Sequence, residues 1–194
     1  MVKPTGYDEV SVNGFTPAEL GGHHMIIKGV REEKSSTGKD MLVVAFEFAK
    51  NDKQPNYFGD MFDKDIRPDK KWPFAGTKYI MVNDYQDETK VSKDFKRFIT
   101  SYEKSNDTEC KWGKDFAKQF VGKKIGGVFG IVEDEYNGKV TQKHLLRWFC
   151  SDDKVDTADV PEPKLLKVNN SASSSSDNGF VAIDPDTDEE AIPF

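Results

Sequence analysis

Two groups of residues in this chain could do chemistry on a partner. One is a set of aromatic rings interleaved with cations. The other is an acidic C-terminal run that ends on apolar residues. Tyr57-Phe58, Phe62 and Lys70-Lys71-Trp72-Pro73-Phe74 place flat rings beside lysines. Rings stack on the faces of unpaired bases while lysine and arginine follow phosphates, so the mixture suits a single nucleic-acid strand. Lys34 and Lys39 flank a Ser-Ser-Thr-Gly turn, and Tyr136 and Lys139 flank a later one. Along the last predicted strand, Lys143, Arg147 and Phe149 share one face, opposite Val140, Leu146 and Trp148. For any one ring the competing role is core packing, and for the lysines it is a solvated surface.

The second group is Asp186-Thr187-Asp188-Glu189-Glu190 followed by Ala191-Ile192-Pro193-Phe194. A solvated acidic tail has no reason to finish on Ile-Pro-Phe. A terminal aromatic can enter a partner's pocket while the carboxylates meet cations around it. Pro193 lowers the ordering cost. The tail also accounts for the net charge of −6, which taken alone argues against nucleic acid. Residues 151–194 carry −8 and residues 1–150 carry +2. Such asymmetry points to nucleic-acid partners or an interaction tail.

Enzyme readings find less support. Pro68-Asp69 with Glu88-Thr89-Lys90 matches a loose metal-nuclease pattern, but its flanks are polar and loop-like, where that chemistry needs a buried strand. His23-His24 lacks a third ligand, and neighbours on a strand point to opposite faces. No phosphate loop or nucleophile motif occurs. A protein that is not an enzyme, with no cofactor and no metal, is expected. Cys110 and Cys150 match no zinc spacing and fit a reducing compartment. No stretch reaches the length of a membrane span and Met1-Val2-Lys3-Pro4 begins no apolar signal core, so a cytoplasmic protein is expected.

The elements that must position these residues are mostly strands. Thr16-Pro17-Ala18-Glu19 predicts one short helical turn. His24 to Arg31 predicts a strand with a bulge or bend at Gly29. Met41 to Phe48 is the strongest strand, with Leu42, Val44, Phe46 and Phe48 on its core face and Glu47 ending the other. Residues 50–75 read as loop. Thr77 to Val82 predicts a third strand, or a short strand leading into a helix. Ser92 to Lys104 predicts a helix capped by Ser92, with Phe95, Phe98, Ile99 and Tyr102 on one stripe. A short helix follows around Phe116 to Val121, stopped by Gly122. Lys124 to Glu133 and Val140 to Phe149 predict a hairpin around Asn137-Gly138. The three glycines of the first of these strands suit the coiling of a small barrel. The order is that of a mainly β, five-stranded OB-fold barrel with a helix between strands three and four.

The tail resembles that of bacterial single-stranded DNA-binding proteins, which end in an acidic stretch followed by Asp-Ile-Pro-Phe. Here Ala191 replaces the last acid. By that resemblance Asp188, Glu189, Glu190, Ile192, Pro193 and Phe194 form the contact peptide for replication, recombination and repair proteins. The body, over roughly residues 20–165, resembles bacteriophage-type single-stranded DNA-binding proteins. The likeness lies in its Ser-Ser-Thr-Gly-Lys turn, Tyr-Phe loop, Lys-Lys-Trp-Pro segment and final Leu-Arg-Trp-Phe strand. The expected organisation is an N-terminal extension (1–22), a DNA-binding OB-fold domain (23–165) and a disordered acidic tail (166–194) with a Ser171–Ser176 linker. The expected function is to bind and protect single-stranded DNA in a host cell's cytoplasm, with homo-oligomers open. The alternative is an adapter or inhibitor that docks its tail on host enzymes without binding DNA.

Overall fold

The computed structural model describes residues 16–166. The expected disorder, the linker and the six tail contact residues lie outside the described residues. So does most of the 1–22 extension.

Five antiparallel strands form one sheet in the order β3-β2-β1-β4-β5. They are β1 (Gly21–Lys34), β2 (Asp40–Phe48), β3 (Thr77–Met81), β4 (Lys124–Tyr136) and β5 (Lys139–Cys150). A first helix, α1 (Tyr57–Lys64), precedes β3, and a second, α2 (Lys93–Asn106), lies between β3 and β4. The chain is mainly β, as the strand patterns predict. Leu42, Val44, Phe46 and Phe48 are all buried, and the β1–β2 register shifts between Ile27 and Gly29, at the expected bulge. Asn137 and Gly138 both take positive φ, as a two-residue hairpin turn requires.

The sheet is not closed into a barrel, which corrects the expectation of full closure. No ladder joins β3 to β5. Instead the Lys78 ammonium donates to the carbonyls of Leu146 (3.2 Å) and Arg147 (3.1 Å) across the gap. β3 is only five residues long. The β4–β5 register also slips by one residue between Val128↔Trp148 and Phe129↔Leu146. That bulge at Arg147 breaks the regular spacing of β5 where it faces β3.

Two helices pack on the sheet, α2 against β5, β4 and β3, and α1 against β2. Ser92 caps α2, its hydroxyl accepting from the Phe95 amide at 3.1 Å. The buried stripe of α2 is the predicted one, Phe95, Phe98, Ile99 and Tyr102, and it meets Phe120 and Phe149. α1 replaces part of the expected 50–75 loop. Its first turn has no side-chain cap of its own. The Glu47 carboxylate supplies one from β2, accepting from the amides of Phe58 and Gly59 and also of Phe48. Burial pushes the Glu47 carboxyl above its usual range, against those three amides and Lys28, which pull it down. Glu47, the polar end of the second strand face, is therefore a buried cap.

Thr16 to Glu19 forms no helix. Its polar groups are engaged in tertiary contacts: the Thr16 carbonyl accepts from Tyr57, the Glu19 amide donates to Gln54, and the Glu19 carbonyl meets Nε2 of His23. Ala18 is buried in the core and β1 begins at Gly21, so the end of the predicted extension belongs to the domain. A 3-10 turn, Asp152–Thr157, lies across β1 and β4. A Cβ on Gly22 would stand 2.0 Å from the Val155 carbonyl oxygen, and one on Gly126 2.7 Å from its side chain. Those glycines serve close approach at least as much as coiling.

Candidate nucleic-acid interface

The seam between β3 and β5 gathers positive charge. Lys78 is held there by its two carbonyl bonds, and burial pushes its pKa down. Asp94 counters that shift, while Lys164, Arg147 and Arg97 add to it. Lys78 thus lies within electrostatic reach of three further cations and of the Asp94 carboxylate. Arg97 sits over the Trp148 ring at 5.6 Å. Arg147 donates to the carbonyls of Glu162 (2.7 Å) and Ile131 (3.5 Å), which leaves further guanidinium donors.

Exposed rings stand on β3 and in the segment that precedes it. Phe74 is 63% exposed and Tyr79 49%, with centroids 6.3 Å apart. Phe74 opens a 3-10 turn (Phe74–Gly76) that packs against β5. Tyr79 follows Lys78 on β3, opposite Val43. Alternation sends the Lys78 ammonium into the seam and the Tyr79 ring to the other face. Phe62 and Trp72 form a second pair at 5.9 Å, with the Lys70 ammonium over Phe62 at 4.5 Å. The Trp72 indole N–H donates to the Gly76 carbonyl, fixing the edge of this platform. Lys71 beside it is exposed.

Other predicted site residues fall elsewhere. Phe58 is fully buried against Phe46, Phe48 and Phe129. Tyr57 is half-buried and stacks on Phe48 at 5.4 Å. Phe149 is buried against Phe98 and Phe46. The bulge at Arg147 turns Leu146 and Phe149 toward the same core, so Phe149 does not share a face with Lys143. Lys34 pairs with Asp40 at 2.6 Å, Lys39 with Glu88 at 3.0 Å, and Lys143 with Asp134. Lys139 is exposed at the hairpin. Tyr136 ends β4, and its side chain lies outside the described residues.

Sequence reasoning did not single out Lys78, Tyr79, Arg97 or Lys164 as site residues. An available signal was alternation along Thr77-Lys78-Tyr79-Ile80-Met81, which places a cation and a ring on opposite faces of one strand. Arg97 lies on the exposed side of the helix stripe. Lys164 becomes legible only once the 161–166 segment is seen to run parallel to β4, through the Lys164 amide to Ile131 and the Glu133 amide to the Lys164 carbonyl, both 2.9 Å.

The residues weighed for metal chemistry are dispersed. Glu88 pairs with Lys39 and Lys90 with Asp87 in exposed turns. His23 bonds Asp52 and His24 bonds Asp152. Among the described residues no cluster of His, Cys, Asp and Glu could hold a metal ion, and no helix is long and apolar enough to cross a membrane. No protein-family model matches the sequence, and no curated protein sequence matches it.

Proposed function

We propose that residues 16–166 form an OB-fold module, of the bacteriophage type, that binds single-stranded DNA with little sequence preference. We further propose that the acidic tail recruits replication, recombination and repair proteins through Asp188, Glu189, Glu190, Ile192, Pro193 and Phe194. The strand order with a helix between strands three and four supports the fold reading. One observation carries the DNA reading. Arg97, Arg147 and Lys164 gather around Lys78 at the β3–β5 seam, and the exposed Phe74–Tyr79 rings stand on the same strand and the turn before it. Like charges at such range repel and cost stability, and a bound polyanion relieves that cost. The rings supply sequence-independent stacking, and the cations follow the phosphates.

Salt dependence tests the assignment. Each phosphate contact adds about 0.7 to the slope of log affinity against log salt on a single strand. The double variant Arg97→Gln/Lys164→Gln is expected to lower that slope by about 1.4 in a fluorescent oligothymidine titration. An unchanged slope removes these two residues from the interface. The adapter reading keeps one observation in its favour: Lys34, Lys39 and Lys143 each lie against a neighbouring acid. An adapter would show no slope to measure.

A further inference from the structure

A groove lies on the flank of the domain where the β1–β2 hairpin meets the start of α2. Its volume is about 350 Å³. Met41, Leu42, Val82, Phe95, Trp112 and Phe116 make its apolar lining. Trp112 is 68% exposed yet ordered by stacking on Phe116, with centroids 5.1 Å apart and planes 17° from parallel. Phe95 stands 6.2 Å from Trp112 and 6.4 Å from Phe116, so the three rings form one cluster. A large ring held open to solvent at the mouth of an apolar groove is the kind of anchor that carries binding energy at protein interfaces.

Among the described residues, the charged lining of this groove is Glu32, Glu33 and Asp40, with no lysine or arginine. Arg31 meets Glu33 and Lys34 meets Asp40, but both pairs are solvent-exposed and neutralise little. Glu32 has no ion pair among the described residues. A nucleic-acid strand would meet repulsion here. So would the chain's own tail, since residues 168–194 carry six acids and no base. The segment 1–15 is also acidic on balance, with Lys3 against Asp8 and Glu9.

We infer that this groove docks a basic segment of another protein, one that places an apolar or aromatic side chain between two runs of lysine or arginine. The apolar residue enters beside Trp112, and the flanking cations meet Glu32, Glu33 and Asp40. Such a contact is separate from tail-mediated recruitment and opposite to it in charge. It does not depend on the nucleic-acid reading.

The test uses the full chain and a fluorescein-labelled Lys-Lys-Leu-Phe-Lys-Lys peptide followed by anisotropy. The acidic tail also attracts such a peptide, so the groove variants decide. Trp112→Ala and, separately, Glu32→Lys are each expected to weaken binding by at least about fivefold. Both side chains are exposed, and unchanged melting would show that the fold is intact. A peptide with Ser-Ser in place of Leu-Phe is expected to bind at least about fivefold more weakly than the parent and to be indifferent to Trp112→Ala. Equal affinity of the parent peptide for wild type and Trp112→Ala overturns the proposal, as does equal affinity of the two peptides for wild type.

Discussion

Replacing Phe74 and Tyr79 together by alanine is expected to weaken oligothymidine binding by roughly 5- to 150-fold without lowering Tm. The range follows from one base lost from its stack, at about 1–3 kcal/mol per base. Phe74 is 63% exposed and Tyr79 49%, and neither belongs to the buried core, so truncation opens no enclosed cavity. The single variants divide the effect. If bases stack on both rings, the two losses are not additive, because each ring also orders the other. Fluorescence titration measures the affinity and circular dichroism the melting. A change under twofold in affinity would mean that these rings are not the platform.

Phe58→Ala is expected to do the reverse. Its ring is fully buried and makes edge or stacked contacts with Phe46, Phe48, Tyr57 and Phe129 at 4.9 to 6.4 Å. Truncating a phenylalanine in such a cluster costs about 3–5 kcal/mol through lost transfer energy and the cavity left behind. For a domain of this size that lowers Tm by roughly 6–20 °C. Phe58→Leu, which keeps most of the volume, is expected to lose less than half as much. DNA affinity per folded molecule should stay near wild type. Weaker binding at unchanged Tm would return Phe58 to the interface.

Long periodic elements were legible. β2 announced its buried face through Leu42, Val44, Phe46 and Phe48, and α2 announced its stripe and its Ser92 cap. α1 was not legible, because its first turn is capped by Glu47 from another strand and it carries a glycine, Gly59, in its second position after the start. Thr16 to Glu19 carries the local signature of a helix start, but Gln54, Tyr57 and His23 engage its backbone groups instead.

The candidate interface was half legible for a related reason. Composition picked out Lys70, Lys71, Trp72 and Phe74 as a ring-and-cation run, and their neighbourhood does present rings. It could not separate Phe58 from Phe74, because both sit in aromatic clusters and burial is set by the tertiary fold. Strict alternation along β5 failed at one residue, where the bulge at Arg147 carries Phe149 into the core. The seam cations come from β3, α2, β5 and the segment after β5, and only the curled sheet brings them together.

The most direct measurement is a titration of the intact chain with a labelled oligothymidine and with a duplex of equal length, at two salt concentrations. Single-stranded DNA binding of this kind predicts a tight complex with the single strand, a weak one with the duplex, and a modest loss of single-strand affinity at the higher salt. Equal affinity for the two, or no binding of either, would contradict it.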